Sequence, residues 1–535
     1  MGIYLNPGSS GFEEVLNSYY VDKTGLIKLI NPRINTPDKL VCISRHRRFG
    51  KSYAAQMLCA YYDHTCDSHN LFAGKDISCA DSYEDHINKY QVIYLDMSNL
   101  LGKVKPEFLI QFIEENVTTE ILCSNTNIKK GTTFDQTLIN AAECIGKKFI
   151  MIIDEWDAPI REAPQITKEY LLFLRMLFKS SNTTAKIFAA AYMTGILPIK
   201  KDGTQSAISN FDEYSFLEPG DFAQYTGFTE DEVKKLCDEY HVDFLKVKKW
   251  YDGYTVGNVE SVYNPYSVMS AIKKKKFTSY WRYTSATDNL LTYINLDLKR
   301  EGLQDDIARL IGGETIEIDT STFKNDVADF AVKDDVLTLL VHLGYLAYEQ
   351  ITELYGEDEQ IIERVRIPNE EVRIEFKKML SMSEHPAIVE LFNKSKKLLQ
   401  DTKSGNEEAV AKAIEEIRHT NYAPQFYNNE QSLRYVIKFA YIVCIDKYMR
   451  IEELSSGKGL ADVVFIPKRG TVDPAIVVEL KWDKGTDSAI KQIKDKNYSA
   501  VLTGYYGEVI LVGINYDSKT GNHSCGIEKI SILKR

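Results

Sequence analysis

At 535 residues the chain is long enough for roughly three or four domains of ordinary size. Hydrophobic residues make up 44% and charged residues 26%, globular proportions that exclude a disordered, collagenous or coiled-coil chain. With 76 acidic side chains against 65 basic ones the net charge is −11, so any nucleic-acid contact has to come from local basic patches. Nine cysteines without a CxxC pair read as reduced thiols of a cytoplasmic protein. No signal-peptide pattern and no apolar run long enough to span a bilayer is visible.

In chain order, Leu40–Ser44, Val92–Asp96, Phe149–Asp154 and Ile187–Met193 read as strands, mostly unbroken apolar runs of the kind buried on both faces. The segments between them are long enough for crossover helices, which implies a parallel sheet covered by helices. From about Asn210 helical periods take over, and in FTEDEVKKLCDEY the pattern predicts Thr229 as N-cap with Glu232 as its capping-box partner. Between about 330 and 376 the order is helix, two extended segments around an acidic turn, then helix. That order fits a winged helix and equally a packing module between domains. The polar segment at 402–416 is the best boundary, and mixed α/β character returns after it. The expected division is 1–225, 226–400 and 401–535.

The strand LVCIS runs into RHRRFGKS and then a helical YAAQMLCAYY, the strand–loop–helix layout of a P-loop. Loop amides through Phe49 and Gly50 would cradle phosphates, Lys51 would reach the β/γ-phosphates, and Ser52 would hold Mg²⁺. Arg47 and Arg48 are both candidates for phosphate contact, and the sequence does not choose between them. The apolar strand ending in Asp154-Glu155 has the form of a Walker B element, with Asp154 on the metal and Glu155 polarising water. Asp157 reads as an N-cap for the following APIREA. Thr194, at the end of the next strand, either senses the γ-phosphate or simply closes a turn.

Near the C-terminus, GLADVVF and AIVVELKW read as two strands carrying Asp462, Glu479 and Lys481. Alternation places Glu479 and Lys481 on one face. Two carboxylates can hold a divalent cation beside a lysine that activates water or stabilises a phosphodiester. Glu430, in the first turn of an upstream helix, is a third carboxylate, with Glu452 and Glu453 as competitors. Two other clusters are set aside. Cys59, His64, Cys66 and His69 lack paired zinc-finger spacing, and Lys273–Lys276 reads as a solvated helix end.

Together these blocks resemble the bacterial proteins that join an AAA-ATPase-like domain to a C-terminal domain of the PD-(D/E)XK nuclease superfamily. The resemblance covers YVDKT (20–24), the P-loop with His46 where the family has proline, DEWDAPI (154–160), MTGILPI (193–199), WYDGY (250–254), VYNPYSV (262–268), GKGLADVVFIPK, VVELKW and AIKQIKDKNY. It implies an α/β chain: a P-loop NTPase parallel sheet, a helical and winged-helix-like middle region, and a mixed α/β nuclease-like domain. It also implies Asp462 and Glu479 as metal ligands, Lys481 as the catalytic lysine and Glu430 as the helical acid. ATP and Mg²⁺ are the implied cofactors, with Mn²⁺ an alternative at the nuclease site. Nucleic acid, DNA ahead of RNA, is the implied partner; a homo-oligomer is left open by the sequence, and no membrane is expected. The leading functional expectation is an ATPase whose nucleotide state regulates a metal-dependent nuclease. The competing ones are an ATP-dependent switch or scaffold, and a DNA-binding regulator, each with an inactive nuclease fold.

Overall fold

The computed structural model describes residues 2–199, 201–202, 205–206, 208, 210–281, 303–311, 313–323, 332–355, 358–382, 386–421, 433, 436–437, 440–441, 443–444, 448–452, 463–467, 473–495, 505 and 507–532. The chain divides into two compact units, one formed by Met1–Thr287 with Thr315–Glu375, the other by Asp288–Glu314 with Phe376–Arg535.

The first unit is built on a parallel sheet of β1 (Leu40–Ser44), β2 (Gln91–Asp96), β3 (Phe149–Asp154), β4 (Phe188–Gly195) and β7 (Asp212–Tyr214), in the order β2-β3-β4-β1-β7. A short ladder, β5 (Lys201–Asp202) with β6 (Gln205–Ser206), interrupts the run between β4 and β7. The absence of polar alternation has its physical reason here, because both faces are covered. Leu40, Cys42, Phe149, Met151 and Ile153 enter one core; Val41, Ile43, Ile150 and Ile152 enter another on the opposite face. The strand expected to stop at Met193 runs on to Gly195, because Thr194 and Gly195 still pair with Ile43 and Ser44.

After the sheet, Thr229 and Glu232 form the expected capping box at the start of the helix Glu230–Tyr240. A hairpin of β8 (Tyr254–Val256) and β9 (Val259–Val262) follows, then the helix Pro265–Lys274, whose N-cap Asn264 accepts from the amides of Tyr266 and Ser267. The helix–hairpin–helix order expected at 330–376 is present as the helix Lys333–Leu343, β11 (Ala347–Tyr355), β12 (Asp358–Arg366) and the start of the helix Glu370–Met382. β10 (Ile316–Glu317) adds a third antiparallel strand against β12.

In the second unit a mixed sheet runs β13 (Tyr448–Glu452), β14 (Val463–Pro467), β15 (Ala475–Trp482), β16 (Gly507–Asp517), β17 (Asn522–Ile532). Only the β15–β16 pairing is parallel, and the helix Thr486–Asp495 makes that crossover. Gly513 permits its close approach: a Cβ there would stand 2.9 Å from Ala489 and 3.0 Å from the Thr486 carbonyl.

Candidate functional site

In an open parallel sheet, ligands bind beyond the carboxyl ends of the strands. The strand order puts three of those ends side by side, since β4 lies between β1 and β3. Ser44 pairs with Gly195, and Thr194 pairs with Asp154. The loop after β1, the hydroxyl of Thr194 and the carboxylate of Asp154 therefore converge from segments far apart in sequence.

The loop turns back through two left-handed residues, Arg48 (φ 66°) and Gly50 (φ 87°), and Gly50 caps the 12-residue helix Lys51–Tyr62. A glycine at that cap removes the Cβ penalty of left-handed backbone. Lys51 is buried, and its Nζ donates to the His46 carbonyl at 2.8 Å. Burial draws its pKa down to about 8, against the pull of Glu155 and Asp154. Asp154 is 1% exposed; burial lifts its carboxyl to about 6, opposed by the Ser52 hydroxyl and the Lys51 ammonium. The Thr194 hydroxyl is buried and makes no hydrogen bond of ordinary geometry. An unpaired hydroxyl next to a desolvated carboxylate and a desolvated ammonium is an environment a Mg²⁺–polyphosphate would complete. Ser52 and Asp154 would hold the metal, the remaining positions going to phosphate and water oxygens, as Mg²⁺ prefers.

The loop's basic residues part company. Arg45 is fully buried as a structural tie, its Nη1 donating to the carbonyls of Ser44, Tyr214 and Ser215 and its Nε to Thr226. His46 is stacked on Phe216 at 3.9 Å, with Phe49 and Tyr254 at its edges, and burial keeps it neutral. The Phe49 ring belongs to this cluster, so only its backbone is placed to meet a phosphate. Arg48 reaches the Tyr280 carbonyl at 3.1 Å, with its guanidinium 3.8 Å from the Tyr266 ring centre. Arg47 is partly buried, and burial lowers its pKa; Arg161 adds to that and Glu155 opposes it.

Asp157 departs from its expected role. It stands at the N-cap position, yet its side chain makes no capping bond to the helix Ala158–Glu162. Its oxygens instead accept from the amides of Ile196 and Leu197, at 3.2 and 3.0 Å, and from Arg161 Nε at 2.8 Å. The reason is proximity across the sheet: a Cβ on Gly195 would lie 2.6 Å from Asp157 Oδ1 and 2.7 Å from the Trp156 ring. DEWDAPI and MTGILPI are thus one interlocked structure. Arg161, four residues after Asp157, was missed in the sequence; the i,i+4 spacing of opposite charges was the available signal.

A cavity of about 1010 Å³ opens from this site, lined by Arg47 to Ala54, Glu155, Tyr20, Val21, Phe228, Tyr266 and Met269. WYDGY (250–254) and VYNPYSV (262–268), to which the sequence assigns no role, thus lie around the loop. Asn264 donates to the Arg47 carbonyl, the Gly227 amide to the Phe49 carbonyl, and the Tyr254 hydroxyl to the Gly344 carbonyl. Lys23 of YVDKT pairs with Glu232 at 2.7 Å. Lys273, expected on a solvated helix end, lines the cavity with its Nζ 4.7 Å from the Tyr19 ring centre.

In the second unit, Ala475 and Val477 pack with Ile493 of the helix Thr486–Asp495, and alternation carries Glu479 and Lys481 onto the same face. Both are buried, and Lys481 Nζ donates to Glu479 Oε1 at 3.0 Å. Asp462 and Glu430 lie outside the described residues. Among the described residues no helix is long and apolar enough to cross a membrane.

Comparison with known proteins finds a relative 22% identical over 517 residues, spanning 93% of each chain: an uncharacterized protein in the vnfD 5' region of Azotobacter chroococcum mcd 1. Among solved structures, a DNA replication initiation factor covers 80% of this chain and 97% of its own at 11% identity and a TM-score of 0.26. The Aeropyrum pernix ORC2 protein, in ADPNP–ADP complexes, covers 67% and 93% at 10% identity and a TM-score of 0.27. Residues 8–205 match the family model described as Predicted AAA-ATPase, and residues 430–525 that of the PD-(D/E)XK nuclease superfamily, so the chain joins an AAA-ATPase-like domain to a PD-(D/E)XK nuclease-like domain.

Proposed function

We propose that the chain binds and hydrolyses ATP, and that its nucleotide state regulates a metal-dependent nuclease, acting on DNA ahead of RNA. The observation that carries the first half is the convergence of Lys51, Ser52, Thr194 and Asp154 at three neighbouring strand ends. Lys51 would exchange the His46 carbonyl for phosphate oxygens, the amides from Phe49 to Ser52 would cradle them, and Arg47 would contact them. Glu155 would take up the proton of the attacking water, and Thr194 would contact the terminal phosphate. Mg²⁺, when bound by Ser52 and Asp154, supplies charge neutralisation between the phosphates. Tyr20, Val21, Phe228 and Met269 add apolar lining to the cavity that would suit a base, adenine by family resemblance.

For the second half, Glu479 and Lys481 supply a carboxylate and an ammonium on one buried strand face. With Asp462 and Glu430 they would form the metal-dependent phosphodiesterase site, on Mg²⁺ or Mn²⁺. Residues 1–225 would be the ATPase domain, 226–400 the middle region and 401–535 the nuclease-like domain, in a cytoplasmic protein that self-associates. The test is cleavage of plasmid, linear duplex, single-stranded DNA and RNA with either metal, with and without ATP, for wild type, Lys51→Ala and Lys481→Ala. Cleavage lost in Lys481→Ala, and altered by ATP only when Lys51 is present, is the expected result. If nothing is cut while ATP still turns over through Lys51, the chain is a nucleotide switch with an inactive nuclease fold.

A further inference from the structure

Beyond the end of β3, four charged side chains meet. Arg161 donates from Nε to Asp157 at 2.8 Å and from Nη1 to Glu162 at 3.2 Å, while Nη2 stands 3.8 Å from Glu155 Oε2. The arginine side chain is only 6% exposed, and Nη2 is buried without a hydrogen bond. A buried guanidinium donor left just short of a carboxylate calls for an explanation. Asp157 cannot yield to it, being fixed by the amides of Ile196 and Leu197. Glu155 is different: it is a third exposed, lines the cavity, and leaves its strand on left-handed backbone at φ 50°. The peptide after it is pinned, with the Trp156 amide on the Thr194 carbonyl and the Ala158 amide on the Glu155 carbonyl, while its own amide donates to Asp154 Oδ1 at 3.0 Å. What remains adjustable is the Glu155 side chain; Lys51 and Arg47 also act on it, and Arg161 is the cation that stands 3.8 Å from it.

We propose that Arg161 is a positioning residue for Glu155. The loop after β4 holds Asp157, Asp157 holds Arg161, and Arg161 aims the Glu155 carboxylate at the water beside the terminal phosphate. The ion pair also ties that carboxylate to the same loop that follows Thr194, so the groups on either side of the phosphate shift together. This inference rests on the reading of Glu155 as the group that takes the water's proton.

ATP turnover of the full chain is measured for wild type, Arg161→Lys, Arg161→Met, Glu155→Gln and the Glu155→Gln/Arg161→Met double variant, with nucleotide affinity titrated separately using a fluorescent ATP analogue. Arg161→Met is expected to lose on the order of 100-fold in kcat with affinity within about twofold of wild type. In the Glu155→Gln background the same change should cost no more than about twofold, since the carboxylate it would aim is gone. Arg161→Lys keeps a charge against Asp157, and so the fold, but its single ammonium cannot span both carboxylates. It should lose about tenfold, and it decides the matter if Arg161→Met does not fold. Equal losses in both backgrounds, or an affinity tenfold weaker with kcat unchanged, would overturn the proposal, the latter by making Arg161 a phosphate ligand. A wild type that needs Glu155 but tolerates both Arg161 variants defeats the tether alone. No wild-type turnover, or Glu155→Gln as fast as wild type, defeats the reading of the site and the tether with it.

Discussion

The two candidate centres are built in opposite ways. In the first unit the polar and charged groups arrive on separate elements: Lys51 from a helix start, the Thr194 hydroxyl and the Asp154 carboxylate from neighbouring strand ends, and Arg161 from a short helix. They are brought together by strands and a helix distant in sequence, and burial leaves Lys51 and Asp154 with shifted acidities. In the second unit the described pair, Glu479 and Lys481, sits two residues apart on one strand, each the other's hydrogen-bond partner. The first kind of centre depends on the packing of the whole unit and feels small changes far from the chemistry; the second is set by strand alternation and can be altered alone.

The sharpest break between them is a crossed pair of substitutions. Lys51→Ala should abolish ATP turnover, a loss of at least about 100-fold, while Lys481→Ala leaves phosphate release within about twofold of wild type. Phosphate-release assays on both variants decide this, and equal losses would mean the two centres are not separable.

Next in size is Gly195→Ala. The added methyl would press on Asp157 Oδ1 at 2.6 Å and on the Trp156 ring at 2.7 Å, forcing the two loops apart. A destabilisation of about 1–3 kcal/mol is expected, with ATP turnover reduced further than the unfolded fraction explains. Thermal unfolding beside turnover at low temperature separates the two effects.

The third expectation is a pH dependence confined to the first centre. Burial holds the free Lys51 near pKa 8, and an arriving phosphate raises it. ATP binding then takes up a proton only above about pH 8, so affinity is level below that pH and weakens by up to about tenfold per unit above it. Asp154, near 6, works the other way: metal needs the ionised form, so the Mg²⁺-dependent part of affinity declines as pH falls through 6. Titrations from pH 5 to 10, with and without Mg²⁺, test both limbs. The smallest effect is Thr229→Ala, which removes one half of the capping box; about 1 kcal/mol should be lost, read as faster amide exchange over residues 230–240.

Much of the first unit was legible because its signals are local. An apolar run without alternation announces a strand covered on both faces, and GKS after such a run announces the start of a helix. Thr229 and Glu232 announced their helix by spacing alone. What stayed hidden depends on the sheet order. Nothing in the residues says that β4 lies between β1 and β3, so neither Thr194's place beside Asp154 nor the turning of Asp157 onto Ile196 and Leu197 was readable. Nor do the residues show that Arg48 lies against Tyr266 and Tyr280, more than 200 residues on. In the second unit, alternation alone placed Glu479 and Lys481 on one face.

One contact bears on how the protein is made. His46 of the phosphate loop is covered by Gly344, where a Cβ would come within 3.0 Å of the imidazole, and Gly253 meets Pro368 at closer range still. The loop is thus synthesised about 300 residues before its cover. At a synthesis rate of about 5–20 residues per second that interval lasts on the order of 15–60 s, during which an aromatic-rimmed loop stands open. A nascent chain halted before residue 344 should expose that aromatic rim to chaperones and proteases, and nucleotide supplied during translation would meet a loop not yet closed.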